Sequence, residues 1–424
     1  MTRHAPEIEE KEIETGDAEG SPVKGWCPGA LKPMQSGDGL VVRVRTGPIV
    51  SWELARALAE LSRVYGNGQI DLTQRGNLQL RGVSQESWPR LVAALSQLGV
   101  LDADADIEAV RNIIVHPLAG LDPTAAFDGL AAWHRLNARL PEDPVFRQLP
   151  GKFGFLIDDG GALPLVDAVT DVHFRGCPQG VAVEIGGHVG LGVIAAEDIP
   201  DVAARLASTF LALKGDTRRL AAMARGIGGD AIRAHARLAG CPLPQRDDRP
   251  RQETIGLIRA GGKTLVGVGV PFGRLSADML DMLAAATSEI RLTPWRQVIL
   301  AGEPDLAHLA ADRFILSADD PRLAVVACPG APDCDSAARA IRGDALALAP
   351  IAAKLPGSGV KLHVSGCAKG CARPDRTPVT LVARQKGYDL IENGRSADDP
   401  ISTGLALGPI EAFLASKITG PIPP

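Results

Sequence analysis

Hydrophobic and polar positions between Gly39 and Val83 change their period several times. The text GLVVRVRTG alternates as a strand does and stops at Gly47-Pro48. Ser51 then precedes WELARALAELSRVYG, in which large apolar residues recur at helical spacing, so we expect Ser51 to cap a helix. The text QIDLTQRGNLQLRGV that follows is typical of two strands with a break between them. The pattern therefore predicts a strand–helix–strand–strand unit.

The same succession of patterns returns later in the chain. A strand, a turn, a helix that begins after a serine and two more strands are predicted from GKTLVGVGVPFGRLSADMLDMLAAATSEIRLTPWRQVILAG. Ser276 lies 225 positions after Ser51, and beyond the helix Leu292 lies 220 positions after Leu72. Because element order, serine cap and strand text agree, we infer an internal duplication.

Each of the two units is followed by a longer stretch in which helix and strand patterns alternate. The last of these stretches includes a helix predicted over 336–355. This succession predicts an α/β (α+β) fold with two copies of a small unit, each followed by an α/β lobe. The predicted divisions are a disordered acidic tail at 1–24, a first unit at 25–103, a first lobe at 104–250, a second unit at 251–320 and a second lobe at 321–424.

Composition narrows the classes of function. Lys and Arg total 45 against 50 for Asp and Glu, a net charge of −5, which argues against a general binder of nucleic acid. No apolar run approaches the roughly 18–20 residues that a membrane span needs. The acidic start of the chain lacks the apolar segment of a signal peptide, so we expect a cytoplasmic protein with no membrane or nucleic-acid partner.

Four of the seven cysteines form two close pairs. Cys328 and Cys334 enclose five residues, and Cys367 and Cys371 enclose three. Four thiolates brought to one point hold either zinc or an iron–sulfur cluster. Structural zinc sites favour about two to four residues between paired cysteines, so the wider first pair favours an iron–sulfur cluster. We expect such a cluster to tolerate replacement of the three scattered cysteines, Cys27, Cys177 and Cys241.

An unusual set of polar residues accompanies the strands of the first unit. Alternate positions predict one polar strand face, formed by Arg75, Asn77, Gln79 and Arg81. A solvated face is the ordinary explanation, but guanidinium groups that alternate with amides suit the capture of carboxylates. Further members of the set are Arg43, Arg45, Arg111, Asn112 and Lys152. Together these residues predict a pocket for a polycarboxylate ligand.

These features together resemble the siroheme-dependent sulfite and nitrite reductase superfamily. The resemblance is carried by TQRGNLQLRG, the duplicated unit, CPGAPDC and SGCAKGCARP. It implies a sulfite-reductase-like fold in which the repeated units are ferredoxin-like half-domains beside two α/β lobes. It also implies that the basic face holds the carboxylates of a tetrapyrrole. The four residues that it implies as ligands of one 4Fe–4S cluster are Cys328, Cys334, Cys367 and Cys371.

Within that superfamily the chain resembles the precorrin-3B synthases. This second resemblance rests on GWCPGALKPMQSGDGL, RNIIVHP, LPGKFGFLIDDG and RLTPWR, and Arg296 of the last motif joins the substrate-binding candidates. It implies that the tetrapyrrole is the substrate, with O₂-dependent hydroxylation of precorrin-3A at C20 and closure of a γ-lactone. One rival reading is a sulfite or nitrite reductase, in which siroheme would be a cofactor. The other is an iron–sulfur electron carrier or redox sensor.

The same resemblance implies further partners for the reaction. Two external electrons are needed, which implies a separate donor, either a ferredoxin or an NADH-linked reductase. A non-haem iron besides the cluster is also implied, and His116 and His173 are its candidate ligands because each lies on strand-like text. Since the cluster and the basic face fall in different predicted lobes, we expect loss of Arg81 to leave the cluster undisturbed.

Overall fold

A computed structural model describes residues 27–166, 168–239 and 254–418. The predicted acidic tail at 1–24 lies outside these ranges, and so does Cys241. Within the described residues, no helix is both long and apolar enough to cross a bilayer.

The first unit has the predicted strand–helix–strand–strand order. The side chain of Ser51 accepts a hydrogen bond from the N–H of Leu54 at 3.3 Å, which caps the helix as expected. The helix buries Ala55, Leu58 and Ala59 against the sheet. Its elements are β1 (Met34–Ser36), β2 (Gly39–Val44), β3 (Ile49–Ser51), α1 (Trp52–Tyr65), β4 (Gln69–Leu72) and β5 (Leu78–Val83), followed by α2 (Trp88–Gln97) and α3 (Ala105–Val110).

The first lobe is a five-stranded sheet covered by helices. Its elements are β6 (Ile113–Val115), α4 (Gly129–Glu142), α5 (Pro144–Arg147), β7 (Phe155–Asp158), β8 (Val172–Cys177), β9 (Gly180–Ile185), β10 (Val189–Ile194), α6 (Ile199–Leu213), α7 (Leu220–Ile227) and α8 (Gly229–His235). The strand order is β10-β9-β8-β7-β6, and β6, β7 and β8 run parallel. The carboxyl ends of these three strands therefore meet at one edge of the sheet.

The second unit repeats the first, which confirms the duplication read from the sequence. Ser276 accepts a hydrogen bond from the N–H of Met279 at 3.1 Å, the same cap that Ser51 makes. Its elements are β11 (Gly256–Ala260), β12 (Lys263–Gly269), β13 (Arg274–Ser276), α9 (Ala277–Ala286), β14 (Glu289–Leu292) and β15 (Gln297–Ala301).

Each repeat sheet is completed by a strand from the other unit. β13 pairs antiparallel with β4, which gives the order β1-β2-β5-β4-β13. β3 pairs antiparallel with β14, which gives the order β11-β12-β15-β14-β3. α1 packs against α9, and apolar residues of both units form one core. The two units are therefore interlocked and cannot separate without breaking both sheets.

The second lobe carries the four paired cysteines. Its elements are β16 (Val325–Ala327), α10 (Arg342–Ala352), β17 (Leu362–Ser365), β18 (Thr377–Arg384), β19 (Gly387–Gly394), β20 (Ser402–Leu405) and α11 (Leu407–Ile418). The strand order is β16-β17-β18-β19-β20. The helix predicted over 336–355 begins only at Arg342, so its first turn was wrongly predicted. The backbone N–H groups of Ala337 and Ala338 instead bond the carbonyls of Cys334 and Gly366, which ties this segment to both cysteine pairs.

The two serine caps generate a stability prediction. Ser276→Ala removes the acceptor for the N–H of Met279 and should lower the free energy of unfolding by about 1 kcal/mol. Ser51→Ala should cost a similar amount. Urea unfolding followed by circular dichroism measures the change, with Ser208→Ala on the exposed side of α6 as the control. Identical midpoints for the cap variants and the control would show that the caps contribute nothing.

Candidate functional site

A tight turn between β4 and β5 places the first polar residues of the candidate site. The hydroxyl of Thr73 accepts hydrogen bonds from the N–H groups of Arg75 and Asn77 at 3.3 and 3.0 Å. Gly76 between them has a φ of 61°, which ends any extended strand there. Arg75 and Asn77 therefore lie in the turn, and the prediction that they continue the strand face of Gln79 is wrong.

The second unit repeats this turn, with an arginine at the position of the glycine. The hydroxyl of Thr293 accepts from the N–H groups of Trp295 and Gln297 at 3.3 Å, as Thr73 does in the first unit. Arg296 occupies the position of Gly76 and has a φ of 59°. A side chain in this left-handed conformation costs about 1–2 kcal/mol. The cost suggests that the guanidinium of Arg296 is retained for a task other than stability.

A cleft opens between the first unit and the first lobe. Four of the polar residues singled out from the sequence line it: Arg45, Arg75, Asn77 and Arg111. The rest of the wall is largely apolar and includes Leu101, Ile114, Trp133, Leu292 and Pro294. Polar groups supply most of the accessible surface of this cleft, which suits an organic ligand with several charged substituents.

A second layer of polar residues supports the cleft from behind. Arg43 lies opposite Gln79 on neighbouring strands, and the Gln79 amide oxygen, turned toward Arg43, accepts from its Nη2 and Nε at 3.1 and 3.3 Å. Burial raises the pKa of the Cys27 thiol, but the guanidinium groups of Arg43 and Arg75 outweigh it and leave the pKa below its usual value. Cys27 therefore lies within this basic region, where Arg43 and Arg75 influence its thiol.

The loop around Lys152 is fastened to the cleft by two side chains. Arg75 Nη2 donates to the backbone carbonyl of Lys152 at 3.0 Å. Asn112 Nδ2 donates to the carbonyl groups of Gly151 and Phe153, each at 3.2 Å. Asn112 is buried and committed to these contacts, so the structure gives it a structural role in holding the loop rather than a place in the cleft wall.

The guanidinium groups of this region are buried without enough partners. Within the described part of the chain, Nη1 of Arg43 and Nη1 of Arg75 have no hydrogen-bond acceptor. Burial also lowers the pKa of both arginines. Arg45 lies 3.2 Å from the Glu108 carboxylate, and Arg111 bonds Asn137 at 2.9 Å and pairs with Asp102, so each of these two has a carboxylate partner. N–H donors that have no acceptor in a buried basic pocket can bond to the carboxylates of a ligand.

The four paired cysteines lie around the ends of β16 and β17. Cys328 is buried, Cys371 is exposed, and the N–H of Gly366 donates to Cys328 Sγ at 3.1 Å. Burial raises the pKa of Cys328 and of Cys371, and the neighbouring thiols raise each further. The two sequence-distant pairs are therefore brought together, as the spacing predicted.

Loop length and one backbone contact bear on which metal site the four cysteines form. Structural zinc sites favour about two to four residues between paired cysteines, whereas Cys328 and Cys334 enclose five. The N–H of Gly366 is directed at Cys328 Sγ, the kind of contact that tunes an iron–sulfur cluster. Both features favour a cuboidal iron–sulfur cluster over zinc.

Arg81 does not line the cleft and instead contacts the cysteine loop. Its Nε and Nη2 donate to the Asp38 carboxylate at 3.0 and 2.6 Å, and Nη2 also donates to the backbone carbonyl of Asp333 at 2.6 Å. Asp333 lies between Cys328 and Cys334. The expectation that Arg81 is remote from the cluster is therefore wrong, because the first unit and the second lobe meet at this residue.

A charged anchor extends this contact into the second unit. Arg274 pairs with Asp71 through two hydrogen bonds of 2.6 and 3.0 Å and also binds the Asp333 carboxylate. Asp71 lies 3.7 Å from Arg81. We call Asp38, Asp71, Arg81, Arg274 and Asp333 the charged anchor. Arg296 lies on this side too, since its side chain packs against Gly273, next to Arg274, and its Nε has no partner among the described residues.

The two candidate histidines occupy different places in the first lobe. His116 follows β6 and is fully buried, with its Nδ1 3.3 Å from Asp159 Oδ1. His116, Asp158 and Asp159 present ligand-type atoms within 4.8 Å of one another. His173 lies within β8, paired across the sheet with Glu184, and is not a member of that group. Burial raises the pKa of Asp159 to about 6, although His116 opposes the shift.

Comparison with known proteins identifies the family. The model of the nitrite/sulfite reductase ferredoxin-like half domain matches residues 32–98. A precorrin-3B synthase from Sinorhizobium is 34% identical over 405 residues, which cover 90% of this chain and 85% of that protein. The chain belongs to the precorrin-3B synthase family. This family lies within the nitrite/sulfite reductase superfamily, as the sequence resemblance indicated.

More distant relatives agree with this placement. A ferredoxin–nitrite reductase from Synechococcus elongatus is 28% identical over 411 residues, covering 84% of this chain and 80% of that enzyme. The solved structure of the Mycobacterium tuberculosis NirA protein superposes with a TM-score of 0.66 at 22% identity, covering 84% of this chain and 74% of that one. The second comparison shows the shared fold and confirms the predicted fold class.

Several residues of the site could not be identified from the sequence motifs of the precorrin-3B synthase family. Asp38 and Asp333 of the charged anchor are joined through Arg81 although they lie far apart in the sequence, and no local pattern signals such a connection. Asp158 and Asp159 lie within LPGKFGFLIDDG, and the sequence alone assigns them no role. The available signal was their position at the end of a buried strand that runs parallel to the strand before His116.

Arg81 generates a prediction about the cluster. Arg81→Ala leaves the buried Asp38 carboxylate unpaired, which should destabilise the protein by about 3–5 kcal/mol and loosen the Cys328–Cys334 loop. We expect a lower thermal midpoint together with faster loss of the cluster's visible absorption in air. Arg63→Ala is the control, because Arg63 pairs with two exposed aspartates and should cost only roughly 0–1 kcal/mol. Equal cluster lifetimes in both variants would contradict the role of the anchor.

Proposed function

We propose that the protein is a precorrin-3B synthase, an oxidoreductase that hydroxylates precorrin-3A at C20 with O₂ and closes a γ-lactone. The observation that carries the proposal is the cleft lined by buried arginines whose N–H groups lack acceptors. A tetrapyrrole with a fringe of acetate and propionate groups supplies those acceptors. The family membership, established over most of the chain, supports this substrate in preference to other polycarboxylates.

The residues of the cleft contribute two kinds of contact to substrate binding, charged and apolar. Arg75 is placed to pair with a substrate carboxylate through its unpartnered Nη1. Arg45 and Arg111, which already pair with Glu108 and Asp102, add positive charge to the same wall. Trp133 and Leu292 offer apolar surface to the flat macrocycle and exclude water from it. Most of these side chains are already held by protein partners, so binding requires little reorganisation.

The proposed reaction balances only with an external source of electrons. One oxygen atom of O₂ enters the product and the other leaves as water, which consumes two electrons and two protons. The four paired cysteines would hold a 4Fe–4S cluster, which supplies single electrons when bound. A separate ferredoxin or NADH-linked reductase would provide them. The exposed Cys371 lies on the side of the cluster site that solvent and a partner can reach.

A siroheme-dependent nitrite or sulfite reductase is the second candidate, because a ferredoxin–nitrite reductase is 28% identical to this chain. In that case a tetrapyrrole would occupy the same cleft as a bound cofactor. Acid–acetone extraction of the purified protein separates the two. Siroheme extracted in a stoichiometric amount would favour the reductase, whereas protein that turns over precorrin-3A without bound siroheme would favour the synthase.

The cleft arginines generate a binding prediction. Arg75→Ala removes one charge-assisted contact of about 1.5–3 kcal/mol, so affinity for precorrin-3A or a stable analogue should fall roughly ten- to a hundredfold. Arg75→Lys should recover only part of the loss, because an ammonium group cannot form the paired contact. Fluorescence titration measures the affinity. Arg147→Ala, at an exposed pair with Asp104, is the control and should bind normally.

The cysteines generate a prediction about the cluster itself. Cys371→Ser should abolish the visible absorption of the cluster and activity together, whereas Cys177→Ser should retain both, because Cys177 is buried in the first lobe. Iron and sulfide analysis of protein purified without oxygen measures the content. Cys27 is not used as a control, since it contacts the basic cleft. A full cluster in Cys371→Ser would refute the ligand assignment.

A further inference from the structure

Three ligand-type side chains meet at one edge of the first-lobe sheet. His116 follows β6 and Asp158 ends β7, and these strands are parallel neighbours with Val115 opposite Ile157. Asp159 comes next along the chain. The carboxyl ends of neighbouring parallel strands are a usual place for ligand sites in α/β sheets. All three side chains are buried, with exposed fractions of 0%, 3% and 0%.

The spacing of the ligand atoms suits one metal ion. His116 Nδ1 and Asp159 Oδ1 lie 3.3 Å apart. Two atoms bound to the same first-row metal at about 2.1 Å are separated by about 3.0–3.4 Å, depending on the angle between the bonds. Asp158 accepts backbone N–H bonds from Gly160 and Leu165 at 3.2 and 2.9 Å, and each of its oxygens keeps a further lone pair.

The two ring nitrogens of His116 have different neighbours. The N–H groups of Leu118 and Leu163 approach Nδ1 and Nε2 at 3.2 and 3.3 Å. A neutral imidazole has a single lone pair in its ring plane, so it accepts only one of these bonds. With a hydrogen on Nδ1, that nitrogen donates to Asp159 Oδ1 at 3.3 Å and Nε2 accepts from Leu163. With a hydrogen on Nε2, the lone pair of Nδ1 is available to a metal ion beside Asp159.

The charges around this group are unbalanced. In the described part of the chain, Oδ2 of the fully buried Asp159 has no hydrogen-bond partner. Two guanidinium groups influence the carboxylates, but Arg175 is paired with Glu184 and Arg291 with Glu289. An isolated carboxylate is costly to bury unless a cation or several donors neutralise it. The unpartnered oxygen therefore points to a missing positive charge.

The loop that closes over the group leaves no room for a side chain. A Cβ at Gly161 would lie 3.1 Å from Asp159 Oδ1, 3.0 Å from His116 Cε1 and 2.6 Å from Asp122 Oδ2. The N–H of Gly161 also donates to Asp159 Oδ1 at 3.1 Å. The glycine thus orients one carboxylate while the backbone passes close to the other members of the group.

We propose that His116, Asp158 and Asp159 bind one divalent first-row metal ion. One imidazole and two carboxylates are a donor set suited to Fe²⁺ or Mn²⁺. Its identification as the iron that serves the oxygen chemistry rests on the proposed function. Ile113, Ile114 and Val115 line the cleft directly before His116, so the ion would lie next to the wall against which the substrate binds.

The test uses the full-length protein with its cluster intact and Mn²⁺ as the probe. After removal of loosely held metal with a chelator, loss of the free-ion EPR signal measures binding. The wild type should bind one Mn²⁺ per chain. His116→Gln and Asp159→Asn should each weaken binding by at least the roughly 10–100-fold that loss of an outer partner costs. His173→Gln, at the buried histidine outside the group, is the matched control and should bind as the wild type does.

The outcomes separate this inference from the proposed function. No Mn²⁺ binding by the wild type, or unchanged binding in both His116→Gln and Asp159→Asn, would overturn the metal site while leaving precorrin-3A turnover to be judged alone. Mn²⁺ binding, together with no turnover of precorrin-3A by iron-loaded protein supplied with a reductant, would support the site and count against the function. Cluster absorption and thermal midpoint show that each variant is folded, and iron in excess of sulfide in freshly purified wild type would provide independent support.

Discussion

Reciprocal exchange of β3 and β13 between the two repeat sheets is the constraint on which the rest of the molecule depends. Each strand contributes backbone hydrogen bonds to a sheet that its own unit cannot complete, and α1 and α9 close one core beneath both. The two polar turns, at 73–77 and 293–297, are consequently fixed relative to each other. The lobes then dock on a rigid centre, which allows the cleft and the cysteine loop to be positioned by short contacts.

Buried charge is handled differently on the two sides of this centre. At the charged anchor, arginines and aspartates neutralise one another and tie the second lobe to both units. In the cleft, the guanidinium groups of Arg45 and Arg75 keep N–H groups without hydrogen-bond acceptors among the described residues. The first arrangement stabilises the apoprotein, whereas the second stores an electrostatic cost that an anionic ligand relieves on binding. Stability thus requires arginines that are fully paired within the protein, whereas ligand binding requires arginines that are not.

The sequence was sufficient for features that depend on local pattern. The duplication, both serine caps and the convergence of Cys328, Cys334, Cys367 and Cys371 follow from periodicity and spacing. Arg75 was misplaced because Gly76 ends the strand, which alternation alone does not reveal. The start of α10 was misplaced because residues 337 and 338 bond the cysteine segments in place of a helical turn. Arg81 was assigned to the cleft because its partner Asp333 lies 252 positions away.

The reciprocal strand exchange also bears on the origin of the chain. Two copies of one unit that complete each other's sheets have the geometry of a symmetric homodimer whose subunits have become covalently joined. In such a dimer every substitution appears twice, whereas fusion lets equivalent positions diverge. Gly76 and Arg296 occupy the same turn, and Asp71 and Arg291 the same strand position, yet Asp71 holds the cysteine loop through Arg274 while Arg291 bonds the carbonyls of Pro117 and Ala119. Equivalent positions of the two units therefore contact different lobes: Asp71, through Arg274, contacts the second lobe, and Arg291 contacts the first.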